Sequence, residues 1–367
     1  MSINVLIFGL SNNLGGMETY VYNSYKNMDH KIIHFDFVTT SPINKPMAFE
    51  EDYIKMGSKI FHITKRTENW FRSNNEIKKI LLKNQYDYIH FHIMNYMWWE
   101  PIILTSRYTK AKIILHSHNS KLDKKTFFKN FILDTIGRIK TRNVNALYIA
   151  CGEDAGKYLF KKNNFKIMKN GVQVEKYRFN KEYRKDVRNE FKIGFGCRLF
   201  GHVGNFYIAK NYPKLISIFE AYLKYDNTSK MILVGNYNND LEIVNMIRKK
   251  GLEGKIILAG MRTDIEKFYS AFDVFLFPSL YEGLSISLIE AQVSGVFCFA
   301  SSKIDKASKI SNRFEFIDID LESKDIAKMI YDCKTDEDDR NNVLIDKSYD
   351  IKESSLKLQR FYLENLK

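Results

Sequence analysis

No stretch of about 18 consecutive apolar residues occurs in the chain, so the sequence predicts no membrane-spanning helix. Cysteine is sparse and scattered: Cys151, Cys197, Cys298 and Cys333 are the only 4, with no CxxC pair and no metal-type spacing. That spacing excludes a disulfide framework and predicts reduced, mostly buried thiols in a cytosolic protein. The segment Met1–Gly9 lacks a basic region ahead of its apolar residues and reads as a first β-strand, not a signal peptide. No repeat of solenoid length and no low-complexity tract is present.

What is present suits two domains. A chain of 367 residues exceeds one ordinary core and fits two domains of about 150–200 residues. An apolar content of 45%, with 14% aromatic, is ample for packed cores. The formal charge of +14 suits nucleic acid, an anionic membrane surface or a phosphorylated small molecule, and charge alone does not choose among them.

Short apolar runs alternate with amphipathic helical stretches, which predicts α/β layering with parallel sheets. Strands are expected at Asn4–Phe8, Lys31–Val38, Lys59–Ile63, Tyr86–His92, Lys112–His116 and Ala146–Ala150. Helices are expected among them near Met17–Lys26, Asn75–Lys83 and Lys124–Lys140. The second half offers strands at Leu199–Val203, Met231–Val234, Lys255–Leu258, Val274–Phe277, Val296–Ala300 and Glu315–Ile319. Its helices are expected to start near Tyr212, Asp240, Asp264, Leu284, Lys303 and Ser323. The expected domains are 1–170 and 171–345, divided at the turn Asn170-Gly171-Val172. A last helix within 346–367 should pack back toward the first domain. Two doubly wound sheets predict a ligand cleft between domains at the carboxyl ends of the strands.

Between Pro278 and Leu284 a buried strand ends in a turn and a helix begins, offering unpaired backbone N–H groups to a phosphate. Glu282 and Glu290 lie eight residues apart, at the turn and part-way along the helix. A carboxylate is unwelcome beside a phosphate, so both better suit accepting hydrogen bonds from sugar hydroxyls. The competing reading is a surface helix with two ordinary glutamates.

Glu282 and Glu290, with Gly283-Leu284-Ser285 between them, resemble the E-x7-E motif of the family-4 retaining glycosyltransferases, which have the GT-B fold. Gly15-Gly16-Met17-Glu18 is similar to the family's GGxE loop, and Asn170-Gly171-Val172 to its NGVD turn. Gly204–Asn211 resembles the GR-x4-K-N/G phosphate loop, and Gly260–Ile265 the G-x-R-x-D-V loop near the nucleotide base. The resemblance implies two Rossmann-like doubly wound domains facing a central cleft. It further implies a hexosyltransferase-type enzyme with a UDP-sugar donor, bound without metal or cofactor. Glu290 would bind the donor ribose and Glu282 the transferred sugar. Gly15, Gly16, Leu284 and Ser285 would hold the diphosphate, Met261 and Arg262 would lie near the base, and Lys210 would neutralise the leaving group. The family usually has arginine where this chain has Asn205, which removes half of the phosphate clamp. Arg262 could replace it or simply line the base pocket.

His90-Phe91-His92 and His116-Ser117-His118 end predicted strands. Alternate histidines share a face, so either pair could ligate zinc, but no carboxylate or cysteine completes a set and no metal is expected. The resemblance implies that His118, with His116 second, orients the transferring sugar. The pair Asp318 and Asp320 forms a literal DxD, set aside because it falls late in the wrong fold. Lys121–Arg142 has seven basic and two acidic residues interleaved with apolar ones. Lys124, Lys125 and Lys129 would face an anionic membrane, and Glu18 would lie on the acceptor side. The expected protein is cytoplasmic, peripheral at the inner membrane face, and active on a saccharide or lipid-linked acceptor in surface-polysaccharide assembly. A catalytically silent sugar-nucleotide binder and a sugar-nucleotide epimerase are the alternatives. No nucleic-acid partner is expected, because the aromatic residues form no RNA-binding motif.

Overall fold

Runs such as Ile3–Phe8 and Val274–Phe277 are apolar on both faces, as strands covered by helices on both sides must be, and each becomes a central strand of a parallel sheet. The computed structural model describes residues 2–118, 127–161, 164–237, 241–282, 284–334, 340–341, 343 and 345–366, without the side chains of 127–130 and 241. The chain forms two units, Met1–Gly171 with Asp350–Lys367, and Val172–Tyr349.

The first unit begins β1 (Ile3–Phe8), α1 (Gly16–Lys26), β2 (Ile33–Thr39), α2 (Glu50–Lys55), β3 (Ile60–His62) and α3 (Trp70–Lys83). It continues β4 (Tyr88–Ile93), α4 (Glu100–Tyr108), β5 (Lys112–Ser117), α5 (Phe127–Thr141), β6 (Ala146–Ala150), α6 (Glu153–Phe160) and β7 (Lys166–Ile167). Its seven strands are ordered β3-β2-β1-β4-β5-β6-β7, so the order reverses between β1 and β4.

The second unit begins α7 (Val174–Tyr177), α8 (Lys181–Glu190), β8 (Leu199–Val203), α9 (Tyr212–Tyr222), β9 (Lys230–Val234), α10 (Leu241–Lys249) and β10 (Ile256–Gly260). There follow α11 (Ile265–Ala271), β11 (Val274–Phe277), α12 (Ile286–Val293), β12 (Phe297–Ser301), β13 (Phe314–Ile317) and α13 (Ser323–Asp332). The six-stranded order β10-β9-β8-β11-β12-β13 reverses between β8 and β11. Reversal points are where doubly wound sheets open a crevice beyond the strand ends.

The last helix, α14 (Ile351–Glu364), belongs to the first unit. Gln359 Oε1 accepts from the Asp29 amide at 3.0 Å, and the Tyr88 hydroxyl donates to the Tyr362 carbonyl at 2.6 Å. One expected helix is absent: from Lys303 onward there is only a 3-10 turn, Lys306–Ser308, with Asp305 capping the Ala307 amide. Its apolar residues Ile304, Ala307 and Ile310 recur every three positions, a spacing that a short 3-10 turn serves while Ile304 and Ile310 are buried. Helices α2, α4, α6, α7 and α8 were not anticipated, whereas a strand leading into the Asn170 turn was expected and is β7.

Candidate functional site

In the second unit, the loops leaving β8 and β11 are stitched together. The Leu280 amide donates to the Ala209 carbonyl at 2.8 Å, and Asn211 Nδ2 donates to the Pro278 carbonyl at 3.1 Å. Asn211 has a left-handed backbone, φ 55°, that turns the chain from the 3-10 turn Ile208–Lys210 into α9. Lys210 is thereby held with its Nζ 2.8 Å from Glu282 Oε1, the two side chains only 14% and 16% exposed. The ammonium also stands 4.5 Å from the centre of the Phe277 ring, so a cation is favoured here twice over. Beneath it His202 is fully buried, its Nδ1 donating to the Leu276 carbonyl at 2.9 Å. Burial, helped by the Lys210 charge, pushes its pKa down to about 3, so it is neutral. Asn205 Oδ1 accepts from the Asn236 amide at 3.3 Å, and the Tyr212 hydroxyl donates to the Gly204 carbonyl at 2.7 Å.

Glu290 lies on α12 and is buried, with the Tyr269 hydroxyl donating to its Oε2 at 2.9 Å. Burial pushes its carboxyl up to about 7, against the opposing pull of the Tyr177 and Tyr269 hydroxyls and the Lys176 charge. Leu284 and Ser285 are buried ahead of α12, and no side chain caps the helix among the described residues. Gly283 lies outside the described residues. Arg262 is bound elsewhere: it donates to Glu190 at 2.8 and 3.2 Å and to Asp264 at 2.9 Å twice, which raises its pKa. A guanidinium engaged by two carboxylates is a poor substitute for the charge missing at Asn205. Met261 beside it is 62% exposed.

In the first unit, Gly15 precedes α1 and Gly16 begins it. Glu18 is buried and braces the loop, its Oε1 accepting from the Ser11 amide at 3.2 Å and hydroxyl at 2.8 Å. His90 and His92 project from β4, and His116 from β5 lies opposite His92 in register. His118, just beyond β5 and partly exposed, brings its Nε2 to 2.8 Å from His92 Nδ1. His90 Nδ1 lies 2.6 Å from the Tyr362 hydroxyl. Burial pushes His90 and His118 down to about 3 and His92 and His116 well below the usual value, so all stay neutral.

Lys124 and Lys125 lie outside the described residues, as does the Lys129 side chain. On α5, Phe131, Ile132, Ile136 and Ile139 are exposed apolar residues. Of the DxD pair, Asp318 caps the Asp320 amide and Asp320 is 2.7 Å from Lys303. Sequence reasoning missed Tyr177, Tyr269 and His202. The tyrosines reach Glu290 from separate helices, and no local motif announces that.

Two family descriptions match this chain: "Glycosyltransferase Family 4" over residues 14–176 and "Glycosyl transferases group 1" over residues 184–349. EpsF of Bacillus subtilis (strain 168), described as a glycosyltransferase, is 30% identical over 302 residues, 80% of this chain and 77% of the relative. CapH of Staphylococcus aureus, a capsular polysaccharide biosynthesis glycosyltransferase, is 25% identical over 319 residues, 84% of each chain. The UDP-Gal:α-D-GlcNAc-diphosphoundecaprenol α-1,3-galactosyltransferase of Escherichia coli is 30% identical over 166 residues, 43% of this chain and 42% of that one. The crystal structure of Anabaena HepE with UDP-glucose superposes with a TM-score of 0.74 at 16% identity, covering 99% of each chain. The fold is therefore GT-B, built of two Rossmann-like domains. The chain belongs to the glycosyltransferases of this family, one of whose members, CapH, is named for capsular polysaccharide biosynthesis.

Proposed function

We propose that the protein transfers a hexose, with retention of configuration, from a UDP-sugar to a saccharide or lipid-linked saccharide. The observation that carries this reading is the half-buried Lys210–Glu282 pair at the carboxyl ends of β8 and β11. The UDP-glucose bound by HepE and the lipid-diphosphate acceptor in the Escherichia coli relative's name support the choice of donor and acceptor class. Lys210 and the amino end of α12 offset the charge that grows on the departing diphosphate, so no metal is needed for donor binding. Glu290 accepts the ribose hydroxyls on the lone pairs its tyrosines leave, while Glu282 and His118 orient the sugar. The bond from the anomeric carbon to the diphosphate oxygen breaks with its electron pair going to the diphosphate. The acceptor oxygen attacks the same face, and its proton passes to the leaving phosphate.

Lys210→Ala and Glu290→Ala should each lower UDP release from the preferred donor by about 10²-fold or more, with melting curves close to wild type. Near-normal turnover in both would remove the site assignment. Tight UDP binding without turnover on any donor would favour a silent binder, in keeping with the uncharged Asn205. The protein in this reading works in the cytoplasm and docks on the inner membrane face through α5. Replacing Phe131 and Ile139 by Ser should cut co-sedimentation with anionic vesicles about tenfold, and unchanged binding would sink that docking.

A further inference from the structure

The histidines of the first unit carry a second chemistry. His90 and His92 are two apart on β4, and His116 faces His92 from β5, so all three stand on one side of the sheet. They are buried, and their ligand nitrogens all lie within 4.8 Å of one another. A neutral imidazole carries one N–H donor and one lone pair, and burying either without a partner is unfavourable. Among the described residues, His90 Nε2 and both nitrogens of His116 have no hydrogen-bond partner.

The nitrogens that do have partners are the Nδ1 atoms of His90, 2.6 Å from the Tyr362 hydroxyl, and of His92, 2.8 Å from His118 Nε2. If each donates from Nδ1, its Nε2 is left as the lone-pair nitrogen. Metal-bound histidines show this division, one nitrogen on the ion and the other held by an outer acceptor.

We propose that His90, His92 and His116 bind one transition-metal ion of the zinc class, with solvent as a fourth ligand. Three neutral imidazoles select borderline cations such as Zn²⁺, Ni²⁺ or Cu²⁺ over Mg²⁺ and Ca²⁺, which require oxygen ligands. Nitrogens about 2.0–2.1 Å from a tetrahedral ion are roughly 3.3 Å apart, a contraction that small ring rotations supply. The ion would tie β4 to β5 and, through Tyr362, to α14. None of the three histidines belongs to the proposed donor site. Through His92, whose Nδ1 lies 2.8 Å from His118 Nε2, the ion also steadies the ring of His118.

The test is metal uptake by the full chain, stripped with chelator, given Zn²⁺ and freed of excess by gel filtration. About one zinc per chain should remain, Mg²⁺ should not be retained, and His90→Asn and His116→Asn should lose the zinc. His34→Asn, which alters a histidine outside the cluster, should keep it. Cobalt substitution of the wild type should give the strong visible bands of a tetrahedral nitrogen site, so the decision stands even if the variants fail to fold. Absence of retained zinc in the wild type, retention in His116→Asn, or only weak six-coordinate cobalt bands would overturn the proposal.

Discussion

In the proposed reaction Glu290 would carry a charge in a place that resists charge. Burial holds its pKa near 7 against an ordinary 4.5. The raised value means that the protonated form stabilises the fold, fully below pH 4.5, and that this stabilisation is lost as pH rises through about 7. The buried neutral histidines act in the opposite sense, adding stability as pH rises toward 6.5. The Glu290 share is therefore the wild-type-minus-Glu290→Gln difference in urea stability, which should fall by on the order of 3 kcal/mol between about pH 4.5 and pH 8. Glu290→Gln keeps an acceptor for the tyrosines and leaves the histidine contributions in place, so the difference isolates the carboxyl. In the proposed site nucleotide affinity should run the other way, tightening as the carboxylate forms, because the ribose hydroxyls would donate to it. A wild-type-minus-variant difference that does not change with pH would show that Glu290 does not titrate there. Such a residue is half-legible in sequence. The eight-residue interval between Glu282 and Glu290 is local and can be read, whereas Tyr177 and Tyr269 converge on it only through tertiary packing.

At the scale of elements, the phosphate-loop region depends on backbone approach as much as on side chains. Gly235, just after β9, has φ +152°, and a Cβ there would lie 2.0 Å from the Gly204 carbonyl oxygen. Because that obstacle is backbone, Gly235→Ala should displace the loop carrying Asn205 and Lys210. It should cost about 1–3 kcal/mol in urea stability and weaken UDP binding, measured by calorimetry. A variant with normal stability and affinity would show that the loop is free to yield. The mostly apolar strands, such as β1 and β11, were legible because a buried strand in a parallel sheet tolerates few polar residues. Helices α2 and α7, of 6 and 4 residues, span too few turns for a periodic signal. The expected helix at Lys303 failed for another reason: its apolar residues recur every three positions, which one 3-10 turn serves without a longer helix.

Over the whole molecule, the chain leaves the first unit at Gly171 and returns to it at Asp350. Helix α14 contributes the buried Ile351, Leu358, Phe361 and Tyr362. At about 1.5–3 kcal/mol for each large apolar side chain, its removal forfeits an amount comparable to a domain's entire stability. Deleting residues 350–367 should erase the first unit's transition in scanning calorimetry and leave the second unit's transition, still raised by UDP. Persistence of both transitions would show that α14 is dispensable. The same excursion governs the order of events during synthesis. The ribosome makes the first sheet early, yet its final helix is translated only after all of the second unit. The nascent first unit must therefore wait with Tyr88 and His90 uncovered, and a stalled or frameshifted message would yield a product whose earlier half is the defective one.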